Sequence, residues 1–93
     1  MSSYIITYDL IQNNDENRSD DYTNLREVIK SYGTWAKVTE SCYAIVSEKK
    51  STEIRDHLKN HLKSDDRIFV VKTSGIAAWR NVICKDEWLK KNL

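Results

Sequence analysis

The apolar positions of the chain fall into six short blocks and a tail, and their spacing switches between that of a strand and that of a helix. Ser3 to Leu10 (SYIITYDL) is rich in Tyr and Ile, which favour strands, and closes on Asp9, a residue that strands avoid. The block predicts a buried first strand that presents one carboxylate at its end. Ile11 to Asp21 (IQNNDENRSDD) is polar and made of turn and cap residues, so it predicts an exposed, mobile loop. Tyr22, Leu25, Val28, Ile29 and Tyr32 then recur at helical spacing, with Arg26, Glu27 and Lys30 on the other side. Ser19, Asp20 or Asp21 caps this helix, and Gly33 ends it in a left-handed conformation.

Thr34 to Thr39 (TWAKVT) alternates and reads as a strand, Glu40 and Ser41 reverse the chain, and Cys42 to Ser47 (CYAIVS) returns as its hairpin partner. Ser51 is the predicted cap of an amphipathic helix through Lys63, with Ile54, Leu58, His61 and Leu62 on one stripe. Ser64, Asp65 and Asp66 turn the chain into Arg67 to Thr73 (RIFVVKT). Four consecutive apolar residues there predict a central strand, or one covered on both faces. The order β-α-β-β-α-β is the split, ferredoxin-like arrangement. The predicted class is therefore α+β, with a four-stranded antiparallel sheet over residues 1–73. Residues 74–93 form a C-terminal helical extension. Trp79, Trp88 and Leu89 give it enough apolar weight to pack on the domain or on a partner subunit.

Composition narrows the class of protein. At 93 residues the chain is one domain, able to bury only ~60–65 % of its unfolded surface, and domains of this size commonly gain stability from a second copy. Fifteen Lys and Arg against 14 Asp and Glu leave a net charge of +1, which supplies no general attraction to nucleic acid. Cys42 and Cys84 match no zinc or redox spacing and predict unpaired thiols in a reducing cytoplasm. The N-terminus MSSYII lacks the features of a secretory signal. No apolar run approaches the ~18 residues of a membrane span, so the expectation is a cytoplasmic protein without a membrane partner.

Asp9 is the leading site candidate, for catalysis and for metal. A hard oxygen ligand at the end of a rigid strand suits Mg²⁺, which takes one or two carboxylates and keeps several waters. One carboxylate per chain is too few for a metal nuclease unless a dimer supplies a second. The alternative is a turn residue bonded to backbone amides. His57 and His61 have a metal-binding spacing but no third ligand, and border the core instead. Ser41 could bond a phosphate or a neighbouring subunit, and Tyr8, Trp35 and Tyr43 could stack on bases, although strand aromatics more often serve a core or an interface. Cys42 reads as a strand thiol rather than a nucleophile. Arg18, Arg26, Lys30, Lys49, Lys50, Arg55, Lys59 and Lys63 lie near acids and read as a solvated mixed-charge face.

A strand ending in Tyr8-Asp9-Leu10, followed by helix, Tyr32-Gly33, hairpin with Glu40-Ser41, helix and strand, resembles the CRISPR-associated Cas-two family over residues 3–73. The chain is similar over nearly its whole length to SinR-like relatives of that family, through Tyr4–Leu10, Tyr32–Trp35, Ala78–Arg80 and Glu87–Leu93. The resemblance implies a homodimer whose sheets pack or join edge to edge, with paired Asp9 residues holding a divalent metal across a cleft. It implies binding of RNA or DNA, with metal-dependent cleavage or a non-catalytic role holding DNA beside an integrase-type protein partner. A non-catalytic dimeric scaffold of the same fold is the alternative. The sequence departs from the family in carrying Ile11, Gln12, Asn13 and Asn14 after the key acid, and in the length of its tail.

Overall fold

The computed structural model describes residues 1–13 and 16–93. The elements are β1 (Ser2–Asp9), α1 (Ser19–Lys30), β2 (Thr34–Thr39), β3 (Cys42–Ser47), α2 (Ser51–Lys59), β4 (Arg67–Lys72) and α3 (Asp86–Asn92). The strands form one four-stranded sheet in the order β2-β3-β1-β4, with every neighbouring pair antiparallel. This is the ferredoxin-like α+β arrangement, with one helix added at its C-terminal end.

Strand alternation decides what each face does. Tyr4, Ile6 and Tyr8 of β1, with Tyr43 and Ile45 of β3, point to one side and pack with Leu25 and Ile29 of α1 and Ile54 and Leu58 of α2. Ile6, Leu25, Ile29, Ile45, Ile54 and Leu58 are wholly buried, each worth ~1.5–3 kcal/mol relative to exposure. This layer is the core, and both long helices cover it.

The other face of the sheet is only partly covered. Ala36 and Ala44 point there and are buried, because the C-terminal segment lies over them. Ile83 donates its N–H to the Val38 carbonyl at 2.9 Å, Leu89 is buried, and the Ser3 hydroxyl bonds the Asn92 carbonyl. The extension thus packs on its own domain, running from β2 to the start of β1. Alanines at 36 and 44 leave room for that close approach. Beyond the tail's reach, Phe69 and Val71 of β4 point to the same face and remain 61 % and 40 % exposed.

Several local expectations change. β4 is an edge strand with one open face, not a central or doubly covered one; its apolar run marks a face that this chain leaves bare. α2 stops at Lys59 instead of Lys63, because His61 and Leu62 bond back three residues, to Leu58 and Lys59, in a tighter turn. His61 is exposed there rather than on the buried stripe. Ser51 is the first helical residue and not the cap; the Lys50 N–H bonds the Glu53 carboxylate instead. Likewise Arg18 occupies the cap position of α1, with Asp20 and Asp21 in the first turn facing the positive helix end. Gly33, at φ +92°, takes the left-handed turn after α1 that a side chain would strain. Among the described residues no helix is long and apolar enough to cross a membrane.

Candidate functional site at the end of the first strand

β1 and β4 pair in a register that places Asp9 opposite Arg67, Thr7 opposite Phe69 and Ile5 opposite Val71. All six lie on the open face. Asp9 therefore ends a strip of exposed apolar side chains and is held by Arg67, whose Nη1 donates to Asp9 Oδ2 at 2.8 Å. The side chains are 57 % and 71 % exposed, so the pair is solvated and worth about 0–1 kcal/mol. Thr7, Ser41 and Phe69 join Asp9 and Arg67 around a shallow cavity of about 290 Å³. Ser41 is fixed there by its carbonyl, which accepts the Tyr8 N–H at 3.2 Å.

Among the described residues, the exposed Asp9 carboxylate is bonded by the Arg67 guanidinium and not by a backbone amide. Among the described residues one protomer offers Mg²⁺ a single carboxylate at this point, and no cluster of three His, Cys, Asp or Glu side chains could hold a metal ion. Pooling Asp9 with the Asp9 of a second chain would give Mg²⁺ the two carboxylates it commonly takes.

Tyr8 also borders this cavity, whereas His57, His61, Trp35, Tyr43, Cys42 and Cys84 are not among the residues that line it. The His57 ring nitrogen shares a hydrogen bond with the Tyr32 hydroxyl at 2.8 Å, and its ring meets His61 edge-on at 5.9 Å. Tyr8 and Tyr43 are buried under the helices, so neither can stack on a base. Burial pushes the Tyr8 phenol up, against the Arg26 guanidinium that bonds it at 3.1 Å. Trp35 is half-exposed, but the Lys30 ammonium lies over its ring at 5.0 Å. Cys42 and Cys84 are free, and burial raises both thiols, which keeps them protonated and poorly nucleophilic.

Arg18 and Asp66 depart furthest from the expected solvated face and mobile loop. Arg18 is 3 % exposed and the Asp66 side chain is fully covered. Arg18 donates Nη1 and Nη2 to the two Asp66 oxygens at 2.9 and 2.8 Å, Nη1 also to the Ile11 carbonyl at 2.7 Å, and Nε to Asp21 at 2.6 Å. Asp66 further accepts the Ile11 and Lys63 N–H groups at 3.0 and 2.8 Å. The Arg18 bonds come first in holding the Asp66 carboxyl well below the usual carboxylate range, and those bonds raise Arg18 in turn. This network ties the loop after Asp9 to the turn before Arg67 and so fixes both ends of the site. Residues 14 and 15 of that loop lie outside the described residues. The one available signal was that Arg18 is the sole base within IQNNDENRSDD.

No family model matches the chain, and no curated protein matches it.

Proposed function

We propose that two copies of this chain join through the bare strip of the open face, and that the resulting Cas-two-like homodimer binds nucleic acid. The observation behind it is the exposure of Phe69 and Val71 on a strand whose composition is that of one covered on both faces. The strip is also self-complementary. It carries Asp9 and Arg67 at one end, so a two-fold partner can exchange these opposite charges between chains. A chain of 93 residues has reason to use such a partner.

The nucleic-acid part of the reading rests on Tyr8-Asp9-Leu10 and its companion motifs, and on the Arg67 guanidinium at the site. The ligand is an RNA or DNA strand, and an integrase-type protein is the partner that the resemblance adds. The setting is the cytoplasm, where Cys42 and Cys84 stay reduced. A second reading, favoured by the exposure of Asp9, adds Mg²⁺-dependent cutting with the two Asp9 carboxylates as ligands. The weak pair with Arg67 leaves Asp9 free to exchange partners.

The test uses labelled single- and double-stranded RNA and DNA, with Mg²⁺ or EDTA, on wild type and Asp9→Ala of matched mass and melting temperature. Binding by both proteins, without cutting, is the outcome for a binding dimer. Cutting that needs Mg²⁺ and drops at least about 10-fold in Asp9→Ala establishes the second reading. Failure of clean wild type to bind any of the four at low salt shows that nucleic acid is not its ligand.

A further inference from the structure

Beside Arg67, α2 and the turn that follows it border a groove of about 480 Å³ against β4. Arg55, Lys59, Lys63 and Arg67 line it, with Leu62 and Ile68 as its apolar walls. Arg55 and Lys59 are one helical turn apart on α2 and share a face. Lys63 comes from the turn and Arg67 from the first position of β4. Four cations from three successive segments thus converge on one concavity.

Their acidic partners do not cancel them. Arg55 pairs with Asp56 at 2.9 Å and Arg67 with Asp9 at 2.8 Å, in both cases between side chains more than half exposed. Lys63 contacts Glu16, and Lys59 has no acidic partner among the described residues. Asp66 also lines the groove, but both its carboxylate oxygens accept from the Arg18 guanidinium. The net charge conceals a division along the chain: residues 1–33 hold six acids and three bases, residues 34–93 eight acids and twelve bases. A small total charge is therefore no argument against a local anion site.

We infer that this groove binds the phosphodiester backbone of a nucleic acid, with Arg55, Lys59, Lys63 and Arg67 contacting successive phosphates. The inference rests on the nucleic-acid-binding reading and names where the strand lies. Guanidinium forks at either end suit phosphate oxygens, and the ammonium groups between them add point charges. Arg67 lines both this groove and the Asp9 cavity, so a strand held here is led to Asp9.

The experiment is fluorescence anisotropy with a labelled 20-nucleotide single strand, titrated across salt, on three proteins. These are wild type, the groove variant Lys59→Ala/Lys63→Ala, and a control, Lys90→Ala/Lys91→Ala, that removes two exposed charges from α3. All four substituted positions are exposed and Arg67 is left intact, and equal melting temperatures establish equal folding. The groove variant should bind at least about 10-fold more weakly, with a salt slope shallower by about 1.4, while the control stays within about 2-fold of wild type. A control that loses as much as the groove variant, or a groove variant that loses nothing, overturns the groove while leaving nucleic-acid binding in place. Equal displacement of the strand by polyglutamate of matched charge makes the site a general polyanion surface and also overturns it. Wild type that binds no strand at low salt overturns the underlying reading, and this inference with it.

Discussion

Asp66→Ala should lower the melting temperature by roughly 10–20 °C in differential scanning calorimetry at pH 7, the largest loss expected from any single polar substitution in the chain. The variant removes the carboxylate that faces both terminal nitrogens of a guanidinium only 3 % exposed. It also strands the Ile11 and Lys63 N–H groups. Removing one member of a buried pair leaves the other charged and desolvated, which costs far more than the pair itself contributes. Asp66→Asn keeps the shape and one acceptor oxygen, so its loss should be smaller.

The same network makes stability depend on acid in a definite direction. The Asp66 carboxyl in the folded chain lies below its ordinary value of 3.8, chiefly through its bonds from Arg18. A depressed carboxylate stabilises the fold fully above its unfolded pKa, and that stabilisation drains away as pH falls toward the folded pKa. Wild type should therefore lose melting temperature below about pH 4 more steeply than Asp66→Asn, whose curve lacks this component. Parallel curves for the two proteins would show that Asp66 is not the group responsible.

Phe69→Lys combined with Val71→Lys should weaken self-association by at least about 100-fold in sedimentation equilibrium. The melting temperature measured at dilutions where the chain is monomeric should change little. In the protomer both side chains are exposed, and substitutions at such positions usually stay within ~0.5 kcal/mol. Across a two-fold axis, however, each lysine appears twice and must be buried against an apolar strip or its own image. The contrast between a large effect on association and a small one on folding distinguishes an interface from a core. A double variant that melts far below wild type as a monomer would instead place Phe69 and Val71 in the chain's own fold.

The periodicities of the sequence carried most of the fold because each face-deciding residue is local. SYIITYDL alternates, α1 repeats Leu25 and Ile29 at helical spacing, and Glu40-Ser41 sits where the hairpin turns. What they could not carry is pairing at a distance. Arg18 and Asp66 are separated by 48 positions, and each looks like surface when judged by its neighbours. Only the closure of β4 beside β1 brings their loops together. Asp9 was visible as an acid at a strand end, but its partner Arg67 follows from sheet order and register. The groove cations Arg55, Lys59 and Lys63 were visible as charges, while their convergence depends on where α2 ends and β4 begins. The run Ile68-Phe69-Val70-Val71 predicts a central or doubly covered strand, and β4 is instead an edge strand with Phe69 and Val71 exposed. Both faces of the run are apolar, but the helices cover the Ile68 and Val70 side and the tail does not reach Phe69 and Val71.

Two chains acting together on one nucleic-acid strand is the central proposal for this protein. Multi-signal sedimentation velocity of wild type with a fluorescein-labelled 20-nucleotide strand at low salt measures that directly, because it counts chains per labelled strand. The prediction is a labelled species containing two 10.9 kDa chains, formed from a protein that already sediments as a dimer without the strand. Protein that sediments at the mass of a single chain, with the labelled strand migrating free at every concentration, would contradict both the dimer and its ligand.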